Sequence, residues 1–155
     1  MVTKNLFAIA CALTLSLASA KVFALAPAPA KSPVSLTAVI GSESGKERRL
    51  EGHPGYLGRV GLRGGQKVKV TLQCPSAQKG DAVLVSSLDG GEITAPAGIL
   101  RVAPDGTVFF HFRAPGLPGN YRVLVQFAGQ EQVLNFYVLD TEHPNNNPPR
   151  VKIVD

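Results

Sequence analysis

Lys67-Val68-Lys69-Val70-Thr71-Leu72-Gln73-Cys74 decides the reading of the fold. Val68, Val70, Leu72 and Cys74 share one parity, and Lys67, Lys69, Thr71 and Gln73 share the other. Side chains of an extended chain point alternately to opposite faces, so this segment has one apolar face and one wet face, as a strand covering one side of a sandwich does. Gly64-Gly65 supplies a turn before it, and Pro75 ends it.

The same alternation extends in both directions. Leu36, Ala38 and Ile40 alternate with Ser35, Thr37 and Val39 as a first strand. Residues 41–58 are polar, charged and Gly-rich, and predict a long loop with room for a short edge segment, after which Val60 and Leu62 point inward. Residues 82–88 form the next strand, followed by the turn Asp89-Gly90-Gly91, and 99–102 form a short one closed by Pro104-Asp105-Gly106. In 107–113, Val108, Phe110 and Phe112 fall on one side and Phe109, His111 and Arg113 on the other. A Pro/Gly bend over 115–119 leads into 121–127 and 132–139, a hairpin across Ala128-Gly129-Gln130. About seven short strands, with turn signals roughly every 8–12 residues and no period of 3.6, predict an all-β, immunoglobulin-like antiparallel sandwich rather than an α/β fold.

Residues 1–20 carry the three regions of a signal peptide. Lys4 supplies the leading charge, 6–17 are apolar apart from small or weakly polar residues, and Ala18-Ser19-Ala20 presents small side chains to the peptidase. Cleavage is expected after Ala20. Ala24-Leu25-Ala26 is a second possible site that places Pro27 after the cut, and an uncleaved anchor is the remaining alternative, although the apolar run is shorter than the ~20 residues that span a bilayer. Residues 21–33 are a Pro/Ala-rich linker, 34–140 the sandwich and 141–155 a flexible tail in which 150–155 has the makings of a short added strand. Cys11 leaves with the leader, so the exported chain keeps Cys74 alone and forms no internal disulfide. The expected location is the periplasm or the cell exterior.

The segments Asp105-Gly106-Thr107, Pro118-Gly119-Asn120-Tyr121-Arg122-Val123 and Asn135-Phe136-Tyr137-Val138, with the Gly129 turn, resemble the last three strands of immunoglobulin-like or fibronectin-type-III-like domains of the bacterial surface kind. Gly119-Asn120-Tyr121 resembles a tyrosine corner, which implies a hydrogen bond from the phenol to nearby backbone. The chain departs from the antibody pattern in two ways: Val123 stands where a second cysteine would pair with Cys74, and there is no Trp. The resemblance spans roughly residues 34–139; it implies the fold and says little of activity.

The charge is +5 over 155 residues, unevenly placed. Within 43–69, seven cationic residues (Lys46, Arg48, Arg49, Arg59, Arg63, Lys67, Lys69) face three acidic ones (Glu43, Glu47, Glu51). For an exported chain such a surface suits an anionic envelope polymer, lipid head groups or another envelope protein, and not nucleic acid. The plain alternative is a strand face kept soluble by Lys and Arg. Phe109 and Tyr137 have outward parity, so Arg59, Arg63, Lys67, Lys69, Phe109 and Tyr137 form the candidate interaction surface. No catalytic constellation is visible: Ser86 and Ser87 lack a nucleophile elbow, and Asp81, Asp89 and Asp105 sit beside Gly as turn formers. His53, His111 and His143 have no second ligand at metal spacing, and no cofactor is implied. The expected function is that of a non-catalytic binding or structural module of the cell envelope. The alternative is a small-ligand or metal carrier, or an accessory domain of an envelope enzyme. The membrane enters only if the leader is retained, and the oligomeric state is open.

Expression with export predicts a processed chain whose intact mass begins at Lys21. A mass that retains residues 1–20 would turn the leader into an anchor.

Overall fold

Burial follows the two-residue period closely. In a computed structural model, which describes residues 35–95, 99–149 and 153–154, the apolar parity of 68–74 is buried and the polar parity faces outward. The leader and the linker of 1–33, and so both cleavage sites, lie outside the described residues.

The strands in chain order are β1 (Thr37–Ser42), β2 (Glu47–Glu51), β3 (Tyr56–Leu62), β4 (Lys67–Gln73), β5 (Ala82–Ser87), β6 (Glu92–Ala95), β7 (Ile99–Arg101), β8 (Thr107–Arg113), β9 (Gly119–Phe127) and β10 (Gln130–Val138). They form two five-stranded sheets, ordered β2-β1-β4-β8-β6 and β3-β10-β9-β5-β7. Every neighbouring pair is antiparallel except β3 and β10, which run parallel. The protein is therefore an all-β sandwich. No described helix is long and apolar enough to cross a membrane.

The core lies between the sheets. Val68, Val70, Leu72, Phe110 and Phe112 come from the first sheet, and Val123, Val125, Leu134, Phe136 and Val138 from the second. Burying each such side chain contributes about 1.5–3 kcal/mol relative to exposure. The Phe112 and Phe136 rings stack across the interface with centroids 4.3 Å apart and planes 10° from parallel. Offset aromatic pairs of this kind add about 0.5–1.5 kcal/mol beyond area burial.

Ten strands stand where periodicity predicts about seven. Much of the expected 41–58 loop is structured: β2 pairs with β1 from Thr37↔Glu51 to Gly41↔Glu47, and β3 begins at Tyr56. Strand β2 reads as a loop because Leu50 is its one apolar residue, and a charged sequence suits a sheet edge, where it discourages pairing with other chains. β6 has only four residues, too few to show a period. The parallel pair depends on a register shift at Val133/Leu134, where Gly58 takes a φ of +134° beside the Leu50 side chain.

Polar contacts fix the bends. Tyr121 Oη donates to the Leu117 carbonyl at 2.9 Å, the contact that its corner position implies. In the turn after β5, the Asp89 carboxylate accepts from Arg122 Nε (2.6 Å), Arg122 Nη2 (2.7 Å) and the Arg122 backbone N–H (3.0 Å). This fork ties the turn to β9.

The segment expected to be a flexible tail carries structure. A 3-10 turn spans Pro144–Asn146, and just before it Asp140 accepts from the backbone N–H groups of Glu142 and His143 at 3.0 and 2.8 Å. Val154 is 2% exposed; its N–H donates to the Gly61 carbonyl and its own carbonyl accepts from Gln66 Nε2 at 2.7 Å. Ile153 makes a parallel bridge to Gly61, so the stub adds to the free edge of β3. A backbone edge and an apolar opening beside it supply what an isolated stub lacks.

Gly91 carries the chain from β5 in one sheet to β6 in the other at φ +85°, and a Cβ there would overlap the Phe112 ring. Gly91→Ala is expected to destabilise the fold by about 2–4 kcal/mol, combining overpacking with left-handed strain. Gly129→Ala, at φ +77° with open space around it, is expected to cost only about 1–2 kcal/mol. Urea denaturation of both variants measures the difference.

Candidate functional site

The six residues singled out by sequence divide between opposite outer faces. Arg59 on β3 and Tyr137 on β10 lie outward on the second sheet, where Arg59 pairs in register with Asn135 and Tyr137 with Gly61. Lys67 and Lys69 on β4 and Phe109 on β8 lie outward on the first sheet, and Arg63 sits in the connection that leads to it. Two outward aromatics therefore do not make one patch. Phe109 is 45% exposed, with the Lys69 ammonium 4.8 Å from its centroid and the His111 ring edge-on at 6.0 Å. A cation held over an exposed ring gains about 0.5–1 kcal/mol, and here it also occupies the face a sugar ring would stack upon.

The first sheet gathers what linear spacing keeps apart. Lys67 stands opposite Arg113, and Lys69 opposite His111, across β4 and β8. Strand β6 completes the rows on the far side, with Glu92 against Arg113 and a bulge at Thr94 before Ala95 meets His111. No carboxylate lies within ion-pair distance of Lys67, Lys69 or Arg113 among the described residues. Arg49 on β2 extends the same outward face, flanked there by Glu47 and Glu51.

The turn between β1 and β2, closed by Ser42 N–H donating to the Lys46 carbonyl at 2.9 Å, bounds an open hollow of about 550 Å3 on this face. Ser42, Ser44, Arg63, Gln66, Lys67, Thr94 and Arg113 line it, with Glu43 as its one acidic residue. A smaller hollow of about 210 Å3 shares Ser42, Glu43 and Lys67 and reaches Lys69 and His111. Two enclosed polar atoms at these hollows, Thr94 Oγ1 and His111 Nδ1, have no hydrogen-bond partner. Parity puts His111 and Arg113 on the polar side of their strand but does not join them to Lys67 and Lys69, and Thr94 has no signal in the sequence. The charge count stops at 69, while topology lays 107–113 against 67–73.

Cys74 lies on the inner parity, 1% exposed. Burial, and secondarily the negative charge of Asp81, push its thiol from 9.0 up to about 11. The thiolate is the nucleophile, so this sulfur is inert near neutral pH. Among the described residues no three His, Cys, Asp or Glu side chains gather as a metal site. No protein-family model matches the chain, and no curated protein matches it significantly.

Iodoacetamide at pH 8 is expected to leave Cys74 unmodified in the folded protein and to alkylate it in urea. The unfolded thiol ionises near 9.0 and the folded one near 11, so stability should fall as pH rises through that interval. A Cys74→Ala variant that keeps the full alkaline loss would assign it to other groups.

Proposed function

We propose that the protein is a non-catalytic binding module of the cell envelope, and that it works through the basic outer face of the sheet β2-β1-β4-β8-β6 on an anionic envelope polymer. One observation carries this reading: Lys67, Lys69 and Arg113 stand side by side on two adjacent strands with no acidic partner among the described residues. Like charges set next to one another repel, and the acidic residues of the same face, Glu92 opposite Arg113 and Glu47 and Glu51 on the edge strand, do not come within ion-pair distance of these three cations. Such a cluster raises the local concentration of a polyanion and accelerates its capture, within a Debye length of about 10 Å at 0.1 M salt. The envelope location rests on the signal-peptide character of residues 1–20.

The same reading takes the sandwich as immunoglobulin-like. In its support, β3 runs parallel beside β10 at the edge of one sheet, and Tyr121 closes a corner at the start of β9. That architecture hosts many functions, so the binding proposal stands on the charged face and not on the fold.

Retention on a dextran sulfate column tests the proposal, using two double charge reversals with the same change in net charge. Lys67→Glu with Lys69→Glu is expected to lower affinity by about tenfold or more, and Arg59→Glu with Lys79→Glu, away from this face, by less than about threefold. Equal losses from both pairs would reduce the effect to net charge alone and overturn the assignment of a face.

A further inference from the structure

The hollow beneath the β1–β2 turn holds more than positive charge. Thr94 Oγ1 and His111 Nδ1 are enclosed polar atoms without partners, on adjacent strands of the same sheet. A buried polar group left unpaired costs about 1–3 kcal/mol, and such groups are rare in folded proteins unless a water, ion or ligand completes them. Two further enclosed side-chain atoms lack a bond, Arg48 Nε and Asn135 Oδ1. Neither of those residues borders this hollow, whereas Thr94 lines it and His111 lines its extension.

The groups converging here differ in kind. Arg113 offers a planar fork of N–H donors, Lys67 a compact ammonium, and Thr94 a hydroxyl that can rotate to donate. A fork, a point charge and a hydroxyl lining one hollow suit a group with three or more acceptor oxygens. A planar carboxylate offers two. Charge-assisted hydrogen bonds to such oxygens are also roughly twice as strong as neutral ones. At about 550 Å3 and open to solvent, the hollow accommodates one such group and leaves space for the chain that bears it.

We infer that this hollow is a seat for a single tetrahedral oxyanion, a phosphate or sulfate ester of the polymer, held by Lys67, Arg113 and the Thr94 hydroxyl, with His111 at its inner margin. The inference rests on the basic-face reading and adds a defined subsite to it. Glu43 stands on the rim as the one opposing charge. It fixes the sign of a second effect: its removal strengthens binding.

Titration of the 15N-labelled protein with inorganic phosphate, and separately with inorganic sulfate, tests the seat and distinguishes the two esters. Saturable shifts confined to the amides around Thr94, His111 and Arg113 are expected. Thr94→Val removes one donor and no charge, and should weaken binding about tenfold, the worth of one hydrogen bond to a charged group. Thr94→Ser should restore it, and Glu43→Gln should tighten it a few-fold. Non-saturating shifts, shifts spread over both outer faces, or a Thr94→Val variant that binds like the parent would overturn the seat. If dextran sulfate retention still depends on Lys67 and Lys69 in that event, the basic face stands without the seat. If phosphate or sulfate saturates the site while the polymer is not retained, the seat stands and the polymer reading falls.

Discussion

Two sheets must each surrender one parity of side chains to a shared interior, and the Phe112–Phe136 stack joins them across it. Its ring spacing sets the distance between β8 and β10. The crossing from β5 to β6 must pass beside it, so residue 91 has no room for a side chain and takes a left-handed turn. The Asp89–Arg122 fork then anchors that turn to β9 from outside. Packing inside and a charge-assisted bond outside thus fix the same few residues. This is why the outer face of β8, on which the basic site depends, has a fixed register against both β4 and β6.

Legibility followed the strength of alternation. Strands β4, β5, β8, β9 and β10 were visible because each buries two or more alternate Val, Leu or Phe side chains. Edge strands were not, because a strand that covers little of the core needs few apolar residues: β2 contributes Leu50, and β6 contributes Ile93. The parallel placement of β3 has no local signature, since it depends on a distant partner and on a bulge at Gly58. The site was half legible for the same reason. Lys67 and Lys69 announced a wet face, but their neighbours Arg113 and His111 are separated from them by three intervening strands of chain. The outward parity of Phe109 and Tyr137 was read correctly; that they belong to different sheets follows only from topology.

The basic face also illustrates how a sandwich separates stability from the chemistry of its surface. Lys67, Lys69 and Arg113 extend from strands whose opposite parity is among the most deeply buried in the protein. The backbone beneath them is therefore anchored by packing on its inner side. Charged groups held in place on strands lose less freedom on meeting a ligand than the same groups on a loop, which favours affinity.

The parallel union of β3 with β10 joins residues near 60 to residues near 136, so it closes a loop containing most of the sandwich. Contacts of such long sequence separation form slowly, after the hairpins on either side have already condensed. Until β3 docks, one long edge of β10 remains an unpaired ladder of backbone donors and acceptors, open to any extended chain that reaches it first. The step that completes this protein is thus also its period of greatest vulnerability to assembling with a stranger, and crowding during synthesis sharpens that competition.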